Sequence, residues 1–412
     1  MFTKEDRVLF ISAKFLLVCV REFNNFKKMQ QIPRPQRIIL ATIPIATGIL
    51  SLVGSLAIIF VLLNAKKGLS TTYRRLLFGM SVMDVFQSLA IALSTFPSPK
   101  NTPGAWLAIG NQTTCDLQGL MFYGGAIGTS IYNCNLCIYF VLIVVKNISQ
   151  TTMEKRVEPF FHSIAILYCL SSGVFLLVNR SFNSNGQICW IAHHPVGCKW
   201  NPSLECTRGV NASKYRMTFQ GTPVIVLFLI ISVTMVYLII TVRRTQRRTA
   251  HRRLSWSSTS KVQEQPIKQA KLYVLAYFLT FIFPLLYAIV ASTSGGKVPF
   301  ALAVISQIFA PLQGFMNFAI FMRPEVNTAA LSHPEKSFFS VAIIVLKEKL
   351  KLTSRENQDI VINKHDSKRS VVKTPISFNT SRLHDLLKKS RTNISSSERK
   401  IITDNLSEIP DN

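Results

Sequence analysis

Charge is scarce in this chain, and the places where it is missing decide the class of molecule. Lys, Arg, Asp and Glu make up 16% of the 412 residues, against about 25% in soluble domains. The deficit gathers in seven stretches, approximately 38–65, 76–99, 117–145, 159–179, 217–242, 272–296 and 298–322, which are free of charge except for Asp84. Each reaches the roughly 20 residues a helix needs to cross a ~30 Å hydrocarbon core at a rise of 1.5 Å per residue. Buried helices of soluble proteins rarely run so long without charge, and seven in one chain exclude a soluble domain. Other absences exclude function classes. No HExxH, paired-aspartate or Ser/His constellation lies in or beside the stretches, which argues against a membrane enzyme and leaves no metal or cofactor site to expect. No repeat and no inverted symmetry relates the two halves, and a single intramembrane charge is little for a transporter or channel pathway.

The chain is short of acid in particular, with 20 Asp and Glu against 47 Lys and Arg. In a soluble protein a net charge of +27 would suggest nucleic-acid binding. Here the basic residues gather in loops, where they set membrane topology. The connections after stretches one, three and five and the segment after the seventh hold 4, 3, 9 and 16 of them, those after two, four and six 1, 5 and 1. The fold expected is therefore an all-α integral membrane protein, a bundle of seven transmembrane helices with its N-terminus outside and its C-terminus cytosolic. Residues 1–37 oppose this, because they carry eight basic residues. A start at Met29 would leave only Arg34 and Arg37 outside.

The expected organisation is a short N-terminal segment 1–37, a receptor-like core 38–325, a juxtamembrane amphipathic segment 326–352 and a cytosolic tail 353–412. The tail composition, poor in aromatics and rich in charge, reads as disorder. The apolar half of 337–352 is too short to span and is expected to lie on the inner membrane surface, its lysines toward anionic lipid. Cys115, Cys189, Cys198 and Cys206 fall in expected outer segments, an even number in an oxidising compartment. The sequons at Asn111, Asn179 and Asn211 also fall outside and are expected to be glycosylated.

Within the spans a few polar residues stand out. A carboxylate in lipid costs at least ~2.5–3.5 kcal/mol, so Asp84 must face the bundle interior or water. Ser81, Gln87 and Ser88 share its helix face. The functional reading is a switch or cation site, and the structural one a hydrogen-bonded packing residue. In the third span Gly124 and Gly128 have the spacing that permits close helix approach, with Tyr132, Asn133 and Asn135 beyond. Pro284 removes a backbone hydrogen bond from the sixth span and is expected to form a hinge. The seventh carries Pro311-Leu-Gln-Gly-Phe-Met-Asn317, in which Gly314 allows a bend or a close neighbour. Gln313 and Asn317, four apart, need interhelical partners.

A cysteine opening the third span, Cys189-Trp-Ile191 in the second outer loop, and PLQGFMN followed by Arg323-Pro324 form an ordered set. With seven spans this set resembles the cyclic-AMP-receptor-like G-protein-coupled receptors, which share the QGF element of the last helix with secretin/adhesion receptors. The run from Tyr73 to Asp84 is similar to that of protist receptors of this kind. The resemblance covers about residues 38–325. It departs from rhodopsin-like receptors: Gly54-Ser55 stands where Gly-Asn is usual, Val145-Lys-Asn147 closes the third span, and Asn-Pro-x-x-Tyr is missing. With no lysine in 298–322, a retinal Schiff base there is excluded. The 37 residues ahead of the first span are not expected to form a hormone-binding ectodomain. The resemblance implies a plasma-membrane receptor that binds an extracellular ligand of unknown class and acts on a heterotrimeric G protein. Membrane lipids are the other expected partners, and nucleic acid is not one. It also implies a Cys115–Cys189 disulfide tethering the top of the third helix, which leaves Cys198 to pair with Cys206.

The third inner loop is expected to be the regulated partner surface. Arg243, Arg244, Arg247, Arg248, Arg252 and Arg253 can meet anionic lipid or acidic patches of a G protein within a Debye length of ~8 Å. Arg252-Arg-Leu-Ser255 matches a basophilic-kinase site, and phosphate there would add about −1.5 to −2 charge beside the cluster. Ser255→Glu is expected to lower G-protein activation at unchanged surface expression. Equal activation by Ser255→Glu, Ser255→Ala and the parent protein would leave the arginines a topological role only.

Overall fold

Inside a hydrocarbon layer every backbone N–H and C=O must find a partner within the protein, and a helix does this within one segment. The computed structural model is accordingly mostly helical. It describes residues 33–65, 68–199, 203–251, 272–332 except 274, 288–289 and 291–297, and 335–348 except 338–339, 342 and 346. Six helices are long and apolar enough to cross a membrane: α1 (Arg34–Asn64), α2 (Thr72–Ala92), α3 (Gln112–Val144), α4 (Gln150–Val178), α5 (Ala212–Thr241) and α7 (Phe300–Ser332). Between the last two lies a shorter apolar helix, α6 (Leu275–Tyr287). The expected seventh full-length span is therefore not reached among the described residues, because part of 272–296 lies outside them.

Polarity is distributed inside out. Leu167, Val174 and Val178 of α4 face outward, 65%, 56% and 74% exposed, while Asp84, Asn133, Gln313 and Asn317 are buried. Water would reverse that arrangement, and lipid stabilises it. The chain is a multi-pass membrane protein. At its centre stands α3, on which every residue from Ile127 to Cys137 is buried, three helical turns with neighbours on all sides. Its start is fixed by a capping box, in which the Asn111 side chain accepts from Thr114 N and the Thr114 hydroxyl accepts from Asn111 N, both at 2.9 Å.

Small residues bring the helices together, since lipid offers no hydrophobic drive between them. Against α2 the close approach runs through Gly125 and Gly128 rather than the expected Gly124–Gly128 pair. A Cβ on Gly125 would meet the Gln87 backbone and one on Gly128 the Met83 side chain, whereas one on Gly124 would meet nothing within 4 Å.

Four further features differ from expectation. The fold is not purely helical: β1 (Phe182–Ser184) and β2 (Cys189–Ile191) form an antiparallel hairpin pairing Phe182 with Ile191 and Ser184 with Cys189. Three-residue strands interrupted by turn residues give too little alternation to read from sequence. The fifth helix continues to His251, so Arg243, Arg244, Arg247 and Arg248 lie on a helical extension, not in a loop. Likewise α7 runs through Pro324 to Ser332, beyond the expected boundary at 325. Finally, Val341 and Val345, four residues apart, are buried in the apolar core that includes Val326, a protein contact that was not expected, while Ile343 of the same segment is 54% exposed. Arg252, Arg253, Ser255, residues 1–32 and the tail lie outside the described residues.

The crossing of α1 and α7 shows how sequence sets geometry. Pro311 has no N–H to donate, and the helix tightens into a 3₁₀ turn over Ala310–Leu312. Just beyond it the Gly314 N–H donates to the Ser51 hydroxyl of α1 at 2.9 Å. A Cβ on Gly314 would collide with the Ser51 and Ser55 hydroxyls. Gly314→Ala is therefore expected to lower stability by about 1–3 kcal/mol through overpacking, with part recovered by Ser55→Gly, as measured by reversible unfolding in detergent micelles. An unchanged midpoint for Gly314→Ala would mean that this crossing relaxes freely.

Candidate functional site

The buried carboxylate organises the middle of the bundle. Asp84 on α2 is 1% exposed. Its Oδ1 accepts from the Thr129 hydroxyl of α3 at 2.9 Å, and its Oδ2 from Asn317 Nδ2 of α7 at 2.8 Å. The Asn317 Oδ1 accepts in turn from Gln313 Nε2 at 3.2 Å, and the Gln313 Oε1 accepts from the Thr280 hydroxyl of α6. One hydrogen-bonded chain thus joins α3, α2, α7 and α6. Helical spacing makes it possible, because Gln313 and Asn317, four apart, present both amides on one face. The chain ends beside the proline of α6. Pro284 lacks the N–H that would bond the Thr280 carbonyl one turn earlier, and Thr280 is the residue that reaches α7. Charge-assisted hydrogen bonds of this kind are the strong ones, and their donors are costly to strand in a dry site.

At one end of the bundle the hairpin lies across α3. Cys115 and Cys189 form a disulfide, as do Cys198 and Cys206. Gln118 reinforces the first: its Oε1 accepts from Cys189 N at 3.1 Å, and its Nε2 donates to Ala90 O at 2.8 Å and Ser94 O at 2.7 Å on the α2 side. Arg208 pairs with Asp116 at 2.9 Å and donates to Asn183 of β1 at 3.0 Å. Trp190 packs edge-on against Phe122 with centroids 6.2 Å apart, donates to Gln220 Oε1, and carries the Arg216 guanidinium 5.5 Å from its ring centre. Burial, with Lys199 and Arg216 nearby, holds the His193 imidazole below its ordinary range, and burial with Arg208 does the same for His194. Both rings are neutral near pH 7. Asn111, Asn179 and Asn211 are exposed at or near this end.

The opposite end holds a network that the sequence did not reveal. Arg75 of α2 grips Glu158 of α4 with Nε and with NH2, the latter at 2.8 Å, and reaches Glu154 at 3.0 Å. The Thr72 hydroxyl donates to Glu158 Oε2 at 2.6 Å. The His162 ring of α4 is 2.9 Å from the Tyr132 hydroxyl of α3 and 3.7 Å from Glu158. The available signal was a charge at each span boundary, Arg75 and Glu158, whose facing could not be read without the helix pairing. On α3 the Asn133 side chain donates back to Thr129 O and that of Asn135 donates to Phe161 O of α4.

The structure thus brings Asp84, Gln313, Asn317 and Gly314 together, with Pro284 one turn from the chain's last member. The four disulfide cysteines and the sequons lie apart from it at or near the hairpin end. The arginine positions 243, 244, 247 and 248 lie on the extension of α5. Among the described residues no group of three or more His, Cys, Asp and Glu could hold a metal ion. Neither a scan against models of known protein families nor a search of characterised proteins finds a match for this chain.

A double-mutant cycle over Asp84→Ala and Asn317→Ala is expected to give a coupling of about 0.6–1.7 kcal/mol, the range of interhelical hydrogen bonds in membrane proteins. Strictly additive losses of stability would show that the pair contributes nothing beyond its separate packing.

Proposed function

We propose that this chain is a seven-helix receptor of the plasma membrane that passes the binding of an extracellular ligand to a heterotrimeric G protein. The observation that carries the reading is the hydrogen-bonded chain Thr129–Asp84–Asn317–Gln313–Thr280, which couples four helices through one carboxylate in the middle of the bundle. A ligand acts by favouring one of two helix arrangements, and such a chain changes as a unit when α6 or α7 moves. In this reading the hairpin end is outer and receives the ligand beside Trp190. The opposite end is inner, and the basic extension of α5 meets the G protein or anionic lipid there.

The second reading, a transporter or channel, would have Asp84 line a pathway. Both carboxylate oxygens instead accept from protein donors, at 2.9 and 2.8 Å, which favours a joint over a passage.

The test uses the full chain reconstituted in nanodiscs with purified G-protein heterotrimers. Asp84→Asn keeps the shape but replaces one acceptor with a donor, weakening the arrangement seen here. Basal nucleotide exchange is expected to rise about fivefold to tenfold, corresponding to roughly 1–1.4 kcal/mol at 1.4 kcal/mol per decade. Exchange by no heterotrimer, with ion flux in liposomes that Asp84→Asn abolishes, would replace the receptor by the second reading.

A further inference from the structure

Near the end of the bundle opposite the hairpin, two tyrosines from distant parts of the sequence meet. Tyr73, in the first turn of α2, and Tyr273, just ahead of α6, have their hydroxyls 3.1 Å apart. Tyr273 is 2% exposed. Tyr73 is partly buried and packs its ring against Tyr139 and Phe140 of α3, with centroids 6.5 and 6.0 Å away. One turn along α6, Tyr277 is fully buried, 4.3 Å from Phe281 and 6.3 Å from Phe228 of α5. The start of α6 thus meets α5 through aromatic rings and α2 through the hydroxyl pair, a directional bond at its tip. Aromatic packing tolerates sliding of one ring over another, and a hydrogen bond between two phenols does not.

We propose that the Tyr73–Tyr273 pair is a latch that keeps the start of α6 against α2 and closes that end of the bundle. Neither residue is asked to touch ligand or partner; both are positioning residues. Opening separates the two hydroxyls and hands them to water, so the bond weights the closed state alone. The consequence for signalling rests on the receptor reading, while the latch itself does not. Physical chemistry gives it an unusual signature. In the closed state Tyr73→Phe strands the buried Tyr273 hydroxyl, and a stranded buried donor is penalised more than the intact bond contributes. Tyr273→Phe strands the Tyr73 hydroxyl, which is buried as well, so its effect is of the same order. Replacing both removes the bond but strands no donor, so the double variant loses only the bond's own net contribution. The response is therefore non-monotonic: each single variant opens this end, and the double variant lies between them and the parent.

The experiment labels the full chain in nanodiscs at Lys146→Cys, just past α3, and Leu275→Cys on α6, two exposed positions near this end. Cys134, Cys137 and Cys169 are buried and free and the other described cysteines are in disulfides, so Cys19→Ser completes the background. Spin-label distance distributions are recorded without G protein, and nucleotide exchange is measured separately. The expected result is a long-distance population about tenfold greater, relative to the closed one, in each single variant, and a smaller rise of about threefold in the double variant. The latch is overturned if the single variants match the parent, or if the double variant does. If distances follow the expected pattern while exchange by every variant stays at the level without receptor, the latch stands and the receptor reading falls.

Discussion

A carboxylate placed midway along a membrane helix costs a few kcal/mol unless the protein supplies its partners, and most of the interior here is arranged around meeting that demand for Asp84. Two donors are needed in positions that water would otherwise fill, one on each oxygen. Thr129 supplies the first from α3, the most enclosed helix, and Asn317 the second from α7. Asn317 can point its amide inward because Gln313 takes up its oxygen, and Gln313 in turn needs Thr280. Satisfying one charge therefore fixes the rotation of three further helices about their axes. The glycine approach of α3 to α2 and the Gly314 contact with α1 set the distances over which this works. Remove the carboxylate and Thr129 and Asn317 are left as unmatched donors in a dry interior, and Asn317 carries the disturbance on to Gln313 and Thr280.

How much of this was legible in the sequence depended on whether the relevant constraint was local. Hydrocarbon imposes a length on every span, so most helices could be read from charge-free runs alone. Asp84 stood out because it violated that pattern, and Gln313 and Asn317 because they sat four apart in an apolar helix. Pro311 and Gly314 announced an irregular helix through backbone chemistry that needs no partner. The misses are long-range. Thr129 and Thr280 are ordinary residues in a span, and only the pairing of helices makes them partners of an acid and an amide. Arg75 and Glu158, 83 residues apart, looked like boundary charges. The Gly124–Gly128 spacing pointed to the right helix but the wrong glycine, since which side of α3 meets α2 is set by the whole bundle. The hairpin was invisible because three-residue strands carry no period.

The two ends of the bundle are held by different chemistry, and that difference gives the fold a direction. At the hairpin end α3 is covalently tied through Cys115 to Cys189, 74 residues away, and Gln118 ties the same point to α2. At the other end the ties are an arginine–glutamate pair, hydroxyl hydrogen bonds and aromatic rings. A disulfide cannot be exchanged for water, whereas each of these can, at an individual cost of about 1–3 kcal/mol. A disturbance that enters near Trp190 thus meets a stiff frame around α3, and relief is found where the ties are reversible. The Asp84 chain lies between, and its members on α6 and α7 are the ones whose helices carry prolines, Pro284 and Pro311. A proline removes a rung from its own helix and leaves the bend to be set by side-chain partners. Since the two bendable helices are joined to each other by Thr280 and Gln313 and to the rigid pair α2–α3 by Asn317, bending of either changes the hydrogen bonds of both. In this fold motion along α6 and α7 is therefore coupled through one short amide and hydroxyl chain, and the carboxylate at its root decides how firmly.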